Sequence, residues 1–246
     1  MTKAVLFDID GTLIRTGGAG VKAFERTSAT VFGIPNGTNH LRFAGGTDTG
    51  LLQDYFRHHK IQHSLENTAR FLEAYVHFLD HLLATTSGAM CPGVTNWLGG
   101  LERIQNPPLI GLLTGNIRLG AEIKLRHFGL WDAFKVGAFG CEHSDRNKLA
   151  EIALRRCGMM LGTPLDGDEI LVIGDTPLDI ECARSIGARC LAVATGSHSL
   201  EELERHQPNW AVPTLDSISP EMIRTATSPH KRIPRVRTMP GKKGSR

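Results

Sequence analysis

Two carboxylates one residue apart close the first apolar run of the chain, in FDIDGT (residues 7–12). Such a pair suits the transfer of a phosphoryl group. A carboxylate can attack phosphorus and carry it as an aspartyl phosphate, which splits one hard displacement into two easier ones. Asp8 is the candidate nucleophile. Asp10, two residues on in an extended chain, is placed to protonate the leaving oxygen and then to take a proton from the attacking water. A carboxylate and a phosphate repel each other unless a cation joins them. A hard divalent ion with oxygen ligands, Mg²⁺, meets that need. Two further carboxylates, Asp175 and Asp179 in GDTPLD (174–179), are spaced i, i+4 at a helix start and so share one helix N-terminus.

A phosphate also needs donors. In LLTGN (112–116) Thr114 can offer its hydroxyl, and Gly115 and Asn116 their backbone N–H groups, between a strand end and a helix start where an anion is well held. A fixed positive charge must meet the charge that develops during transfer. DRNK (145–148) opens a helix with two candidates, Arg146 and Lys148; Arg146 is preferred, because its place at the helix start aims it at the crevice.

These residues require elements that bring them together. Short apolar runs recur at 4–10, 109–115, 136–140, 169–175 and 190–196, with amphipathic helical stretches at 117–131, 146–158, 177–188 and 199–206. Strands apolar on both faces, alternating with helices, predict an α/β fold with a doubly wound parallel sheet. WAVPTL (210–215), with Pro213, suits an edge strand. In such a sheet the crevice lies beyond the carboxyl ends of the strands, where the motifs fall. Between Gly20 and about Ser87 the pattern is helical only, at 21–32, 50–59 and 66–83, which predicts an inserted all-helical unit of about 70 residues. Its entry, TGGAG (16–20), and its exit, TSGAMCPG (86–93), read as hinges, with Gly17, Gly18 and Gly20 supplying permissive backbone.

In order and spacing, FDIDGT, LLTGN, DRNK and IGDTPLDIECARSIGA (173–188) resemble the four motifs of the haloacid dehalogenase superfamily. The likeness covers roughly residues 1–215 and is nearest to phosphoglycolate-phosphatase-like phosphatases with a helical cap. The resemblance implies a Rossmann-like core at 1–16 and 88–224 and a cap at 17–87. It implies Mg²⁺ held by Asp8, the Asp10 backbone carbonyl and Asp175, with Asp179 in support. The dehalogenating branch lacks an acid at the second position, so Asp10 favours phosphoryl transfer to water from a small phosphorylated metabolite. The family usually places a Lys where this chain has Arg146 and Lys148. In AGGTD (44–48), a loop type that contacts the core site in related proteins, Thr47 and Asp48 are candidates to face the substrate, with loop capping the other reading of Asp48. A phosphomutase would share every core motif. A phosphonate hydrolase would need a cap amine, and Lys22 and Lys60 have no recognisable context for it.

The rest of the chain sets bounds. Its 41% hydrophobic residues suffice for a core, no apolar run of about 18 residues can span a membrane, and Asp8 and Asp10 interrupt the N-terminal run that a signal peptide would need. Five cysteines without C-x-x-C spacing fit a reduced cytoplasmic protein. The net charge of +3 is uneven: residues 225–246 carry seven bases and no acids, leaving residues 1–224 mildly acidic. That basic tail cannot bury a core and is expected to be disordered. A binding protein acting on nucleic acid through the tail would have no need of Asp8 and Asp10 together. Monomer and homodimer both stay open. His77 with His81, and His58 with His59 and His63, have ligand-like spacings, but no acidic or Cys partner completes a site, and they read as solvated positions. Tyr55, Phe56, Phe71, Tyr75 and Phe78 read as packing of the helical unit.

Overall fold

The computed structural model describes residues 1–225, so the basic tail lies outside the described residues from 226 onward. The first apolar run forms β1 (Ala4–Phe7), buried on both faces. Strand alternation divides its side chains: Val5 and Phe7 join one apolar cluster, Ala4 and Leu6 the other. β4 (Leu109–Thr114), β5 (Val136–Phe139), β6 (Ile170–Gly174), β7 (Arg189–Val193) and β8 (Trp210–Val212) complete a six-stranded sheet. The order is β5-β4-β1-β6-β7-β8, every pair parallel. β8 is an edge strand that stops one residue before Pro213, which has no N–H for a ladder.

Helices cover both faces, as buried parallel strands demand. α4 (Val94–Arg103) and α5 (Arg118–His127) place Trp97, Leu98, Leu101, Ala121 and Leu125 on the Val5/Phe7 side. α6 (Arg146–Leu161), α7 (Pro177–Ser185) and α8 (Leu200–Arg205) cover the Ala4/Leu6 side through Leu149, Ala153, Ile180, Ala183 and Leu203. A last short helix, α9 (Pro220–Thr225), ends the described chain.

Three helices, α1 (Ala19–Val31), α2 (Asp48–His58) and α3 (Leu65–Leu83), form the insertion after the first strand, with their own apolar cluster. Phe24, Tyr55, Phe56 and Phe71 are fully buried in it, and Phe78 packs against it. The insertion leaves and returns through two short antiparallel strands, β2 (Ile14–Arg15) and β3 (Ala89–Met90), paired Ile14 to Met90 and Arg15 to Ala89. Gly17 (φ 62°) and Gly18 (φ 82°) follow directly, in the left-handed region that glycine enters without cost to a side chain.

Candidate active site

β1 lies between β4 and β6, so the carboxyl ends of three adjacent strands open on one crevice. Asp8 is held there by its own N–H, which donates to the Ile173 carbonyl at 2.9 Å. The chain then turns at Gly11 (φ 85°), where a Cβ would run into the Asp175 carboxylate. Asp175 closes β6 and accepts from the Thr12 hydroxyl at 3.0 Å. Asp179 stands at the third position of α7, in a capping box with Thr176. Carboxylate oxygens of Asp8, Asp175 and Asp179 all lie within 4.8 Å of one another, and all three residues are buried.

Arg146, the first residue of α6, reaches into this cluster. Its Nη2 lies 2.9 Å from Asp8 Oδ1 and 2.5 Å from Asp179 Oδ1 and also donates to the Leu113 carbonyl at 3.3 Å, while Nη1 donates to the Gly45 carbonyl at 3.2 Å. Its Nε is buried with no hydrogen-bond partner. Lys148, two residues on, is not brought to the site: its side chain is half exposed and its Nζ pairs with Glu151 at 2.8 Å. The two bases are two helix positions apart, so they point to different sides of α6. As a site residue, Lys148 is corrected by that geometry.

The charge balance explains the electrostatics. Burial, opposed by Arg146 and reinforced by Asp179 and Asp10, pushes the Asp8 carboxyl up to about 6. Burial, with Asp179 and Asp8 beside it, pushes Asp175 up strongly as well. For Arg146 burial works against the charge, but Asp179 and Asp8 outweigh it and keep the guanidinium protonated. Fully ionised, three buried carboxylates against one guanidinium would leave an excess of negative charge on hard oxygen donors, which is what the upward shifts of Asp8 and Asp175 resist. That donor set fits a divalent ion such as Mg²⁺.

Asp10 sits apart from the cluster, and here the structure supplies a residue that sequence reasoning missed. Lys124 of α5 is buried, with Nζ 2.6 Å from Asp10 Oδ2 and 2.6 Å from Asn116 Oδ1. Asn116 Nδ2 donates to the same Asp10 oxygen at 2.8 Å and to Thr114 Oγ1 at 2.9 Å. Thr114 is fully buried and lies behind Asn116, outside the cavity lining, whereas Gly115 and Asn116 line it. A signal for Lys124 was present: it follows Gly120 and Ala121 by four and three residues and precedes Leu125, on the buried face of α5.

The insertion closes the crevice through its AGGTDTG loop. Asp48 N donates to the Gly115 carbonyl at 2.7 Å, and Asp48 Oδ2 accepts from Ile117 N at 2.8 Å. Thr47 Oγ1 donates to the Ser144 carbonyl at 2.9 Å and caps α2 by accepting from Gly50 N; Thr49 donates to the Gly140 carbonyl. Thr47 thus stands outside the cavity lining, while Asp48 both lines the cavity and caps α5. Burial, against the pull of Lys124 and the Ile117 N–H, raises the Asp48 carboxyl to about 6. The cavity measures roughly 390 Å³. Asp8, Asp10, Arg146, Asp175 and Lys124 lie on its core side, and Phe24, Phe43, Leu51 and Tyr75 on the insertion side. Tyr75 packs in the apolar cluster of the insertion, as read from the sequence, and also borders the cavity. Lys22 and Lys60 are not among the lining residues.

A family model for haloacid dehalogenase-like hydrolases matches residues 5–193, and the chain belongs to that family. Two curated relatives span nearly its whole length. The probable phosphatase IndB of Dickeya dadantii is 24% identical over 234 residues, 89% of this chain and 92% of that one. The putative pyrophosphatase PpaX of Caldanaerobacter subterraneus is 27% identical over 210 residues, 85% of this chain and 89% of that one. Among solved structures, a beta-phosphoglucomutase from Clostridium difficile superposes with a TM-score of 0.69 at 18% identity, over 91% of this chain and 96% of that one. CbbY from Rhodobacter sphaeroides, in complex with phosphate, gives 0.64 at 22%, over 81% and 90%. At such identities the structural likeness establishes the fold.

Proposed function

We propose that the protein is a Mg²⁺-dependent phosphatase that hydrolyses a small phosphomonoester through an aspartyl phosphate on Asp8, in a reduced cytoplasmic setting. The reading rests on one observation above all: a buried carboxylate faces a cavity with a guanidinium on one side and a second, separately held carboxylate on the other. Asp8, Asp175 and the Asp10 backbone carbonyl would hold the ion, with Asp179 behind them. When bound, Mg²⁺ neutralises the repulsion between nucleophile and phosphate and polarises the phosphoryl oxygens.

The chain's own residues do the rest. Arg146 orients Asp8 and carries the fixed positive charge for the phosphoryl oxygens. Gly115 and Asn116 contribute N–H groups at the strand end. Asp10, anchored through Oδ2 by Lys124 and Asn116, keeps Oδ1 for the proton that goes to the leaving oxygen and later comes from water. Residues 17–87 act as a cap on the hinges at Gly17 and Gly18, and Asp48, Tyr75, Phe24 and Phe43 meet the part of the substrate beyond the phosphate.

A broad panel of phosphomonoesters with Mg²⁺ tests this reading. Release of inorganic phosphate that vanishes in Asp8→Asn supports it; no release from any member, or full turnover by that variant, overturns it. Slow hydrolysis beside fast isomerisation primed by a bisphosphate would instead identify a phosphomutase.

A further inference from the structure

Away from the cavity, three histidines of the helical insertion meet. His40 lies in the connection between α1 and α2, His58 is the last residue of α2, and His59 is its C-cap. A ring nitrogen of each lies within 4.8 Å of those of the other two. The rings of His40 and His58 stack with centroids 3.8 Å apart, and His59 meets them edge on at 5.4 and 4.8 Å. The spacing of His58, His59 and His63 pointed to a different trio; the ring of His63 packs on Phe56 instead, at 5.7 Å.

We propose that His40, His58 and His59 form a second metal site, for a borderline transition ion with Zn²⁺ as the preferred occupant, which ties the loop before α2 to the end of that helix. The hydrogen bond of His59 favours ligation. His59 Nε2 lies 2.7 Å from the Gly37 carbonyl, which can only accept, so Nε2 carries the proton and Nδ1 keeps its lone pair. The ring is held further by Tyr55, 4.7 Å away, whose hydroxyl is itself bonded to Ser28 at 2.8 Å. An imidazole that gives its other N–H to a backbone carbonyl has its tautomer and orientation fixed as metal-bound histidines do.

Geometry and donor chemistry select the ion. At a Zn–N distance of about 2.1 Å, tetrahedral nitrogens stand roughly 3.4 Å apart and each lone pair lies in its ring plane, so His40 and His58, both exposed and now stacked at 15° to each other, need to turn out of that stack to share one ion. Asp54, one turn before His58, is engaged by Arg57 at 2.8 Å, and water takes the fourth position. Three imidazoles suit Zn²⁺, Ni²⁺ or Cu²⁺ and not Mg²⁺, which takes oxygen donors. The acidic cluster at Asp8 and the imidazole cluster would therefore sort their metals by donor type.

The test uses the full chain without an affinity tag, stripped by chelator, then saturated with Mg²⁺ so that the acidic cluster is occupied, and titrated with Zn²⁺ by calorimetry. One Zn²⁺ per chain is expected, with the rings of His40, His58 and His59 shifting in NMR spectra while those of His77 and His81 stay put. His40→Ala and His59→Ala should each weaken binding by at least the roughly 10- to 100-fold that loss of an outer partner costs, with circular dichroism unchanged. His63→Ala and Asp8→Asn should leave it intact. The proposal is overturned if no Zn²⁺ is taken up, if the His40→Ala/His59→Ala double variant binds as the parent does, if Asp8→Asn abolishes binding, or if the ring shifts spread over all eleven histidines.

Discussion

Lys124 Nζ stands 2.6 Å from Asp10 Oδ2, and Asn116 Nδ2 meets the same oxygen at 2.8 Å. The ammonium is buried while the side chain of Asp10 is 42% exposed, so the cation is the fixed member of the pair and the carboxylate the one open to the cavity. In the mechanism proposed above, Lys124 would position Asp10. Lys124→Met, close in volume, removes the charge without emptying the site, and the part-exposed Asp10 carboxylate can turn to water rather than be stranded as a buried charge, so the fold should survive. With Asp10 free to turn, kcat should fall on the order of 100-fold, the scale of general acid–base catalysis, with KM little changed. Steady-state kinetics beside a thermal melt checks this; a loss confined to stability would reduce Lys124 to a structural cation.

Asp8→Asn should abolish turnover and at the same time stabilise the metal-free protein. The folded state raises the Asp8 carboxyl from 3.8 to about 6, so the fold holds that proton more tightly than the unfolded chain does. Stability is therefore lost as pH rises through this interval, and the full loss is in place at about pH 7. Asn carries no such charge. The melting temperature of the variant should exceed that of the chelated parent by a few degrees near pH 7, and the gap should close near pH 4. Added Mg²⁺ should raise the parent and move the variant less.

Arg146 and Lys148 offer a direct contrast within one helix turn. The Arg146 fork holds Asp8, Asp179 and the carbonyls of Leu113 and Gly45 together, a set that a single ammonium cannot span. Arg146→Lys should lower kcat on the order of 100- to 1000-fold, the cost of one misplaced donor to a developing charge. Arg146→Ala should in addition destabilise the fold by about 3 to 5 kcal/mol, since it strands buried Asp8 and Asp179. Lys148→Ala, which removes only an exposed pair with Glu151, should leave both activity and stability within experimental error.

The strands and the clustered carboxylates were legible in the sequence because each has a local signature. Buried parallel strands read as unbroken apolar runs, and Asp8 and Asp175 close two of them. α4 left no such mark, for Gly99 and Gly100 interrupt its pattern. Gly100 is there for packing: a Cβ would come within 3.0 Å of Pro220 in α9, a contact across 120 residues of chain. β2 and β3 are two residues each, too short to show a period. The roles of Lys124, whose buried helix position alone was legible, and of His40 stayed hidden for a similar reason. Their partners, Asp10 and Asn116 in one case, His58 and His59 in the other, are fixed by how helices dock, which spacing along the chain does not carry.

Docking of the cap depends on one close approach that can be blocked without touching a catalytic side chain. A Cβ at Gly115 would collide with the Gly46 carbonyl, at the point where Asp48 N donates to the Gly115 carbonyl. Gly115→Ala should hold the cap away from the core, raising KM and lowering kcat together, with limited proteolysis faster at the linkers around Gly17 and Ser87. Asp48→Ala separates the hydrogen bond from the clash. It frees the Ile117 N–H at the start of α5, at a cost of about 1 kcal/mol, and should loosen docking less than Gly115→Ala does. Asp48→Asn keeps an oxygen for that N–H and removes a carboxyl that burial raises to about 6, so its cap should stay docked with proteolysis at the parent rate. Equal proteolysis of all three variants and the parent would mean that these contacts do not govern closure.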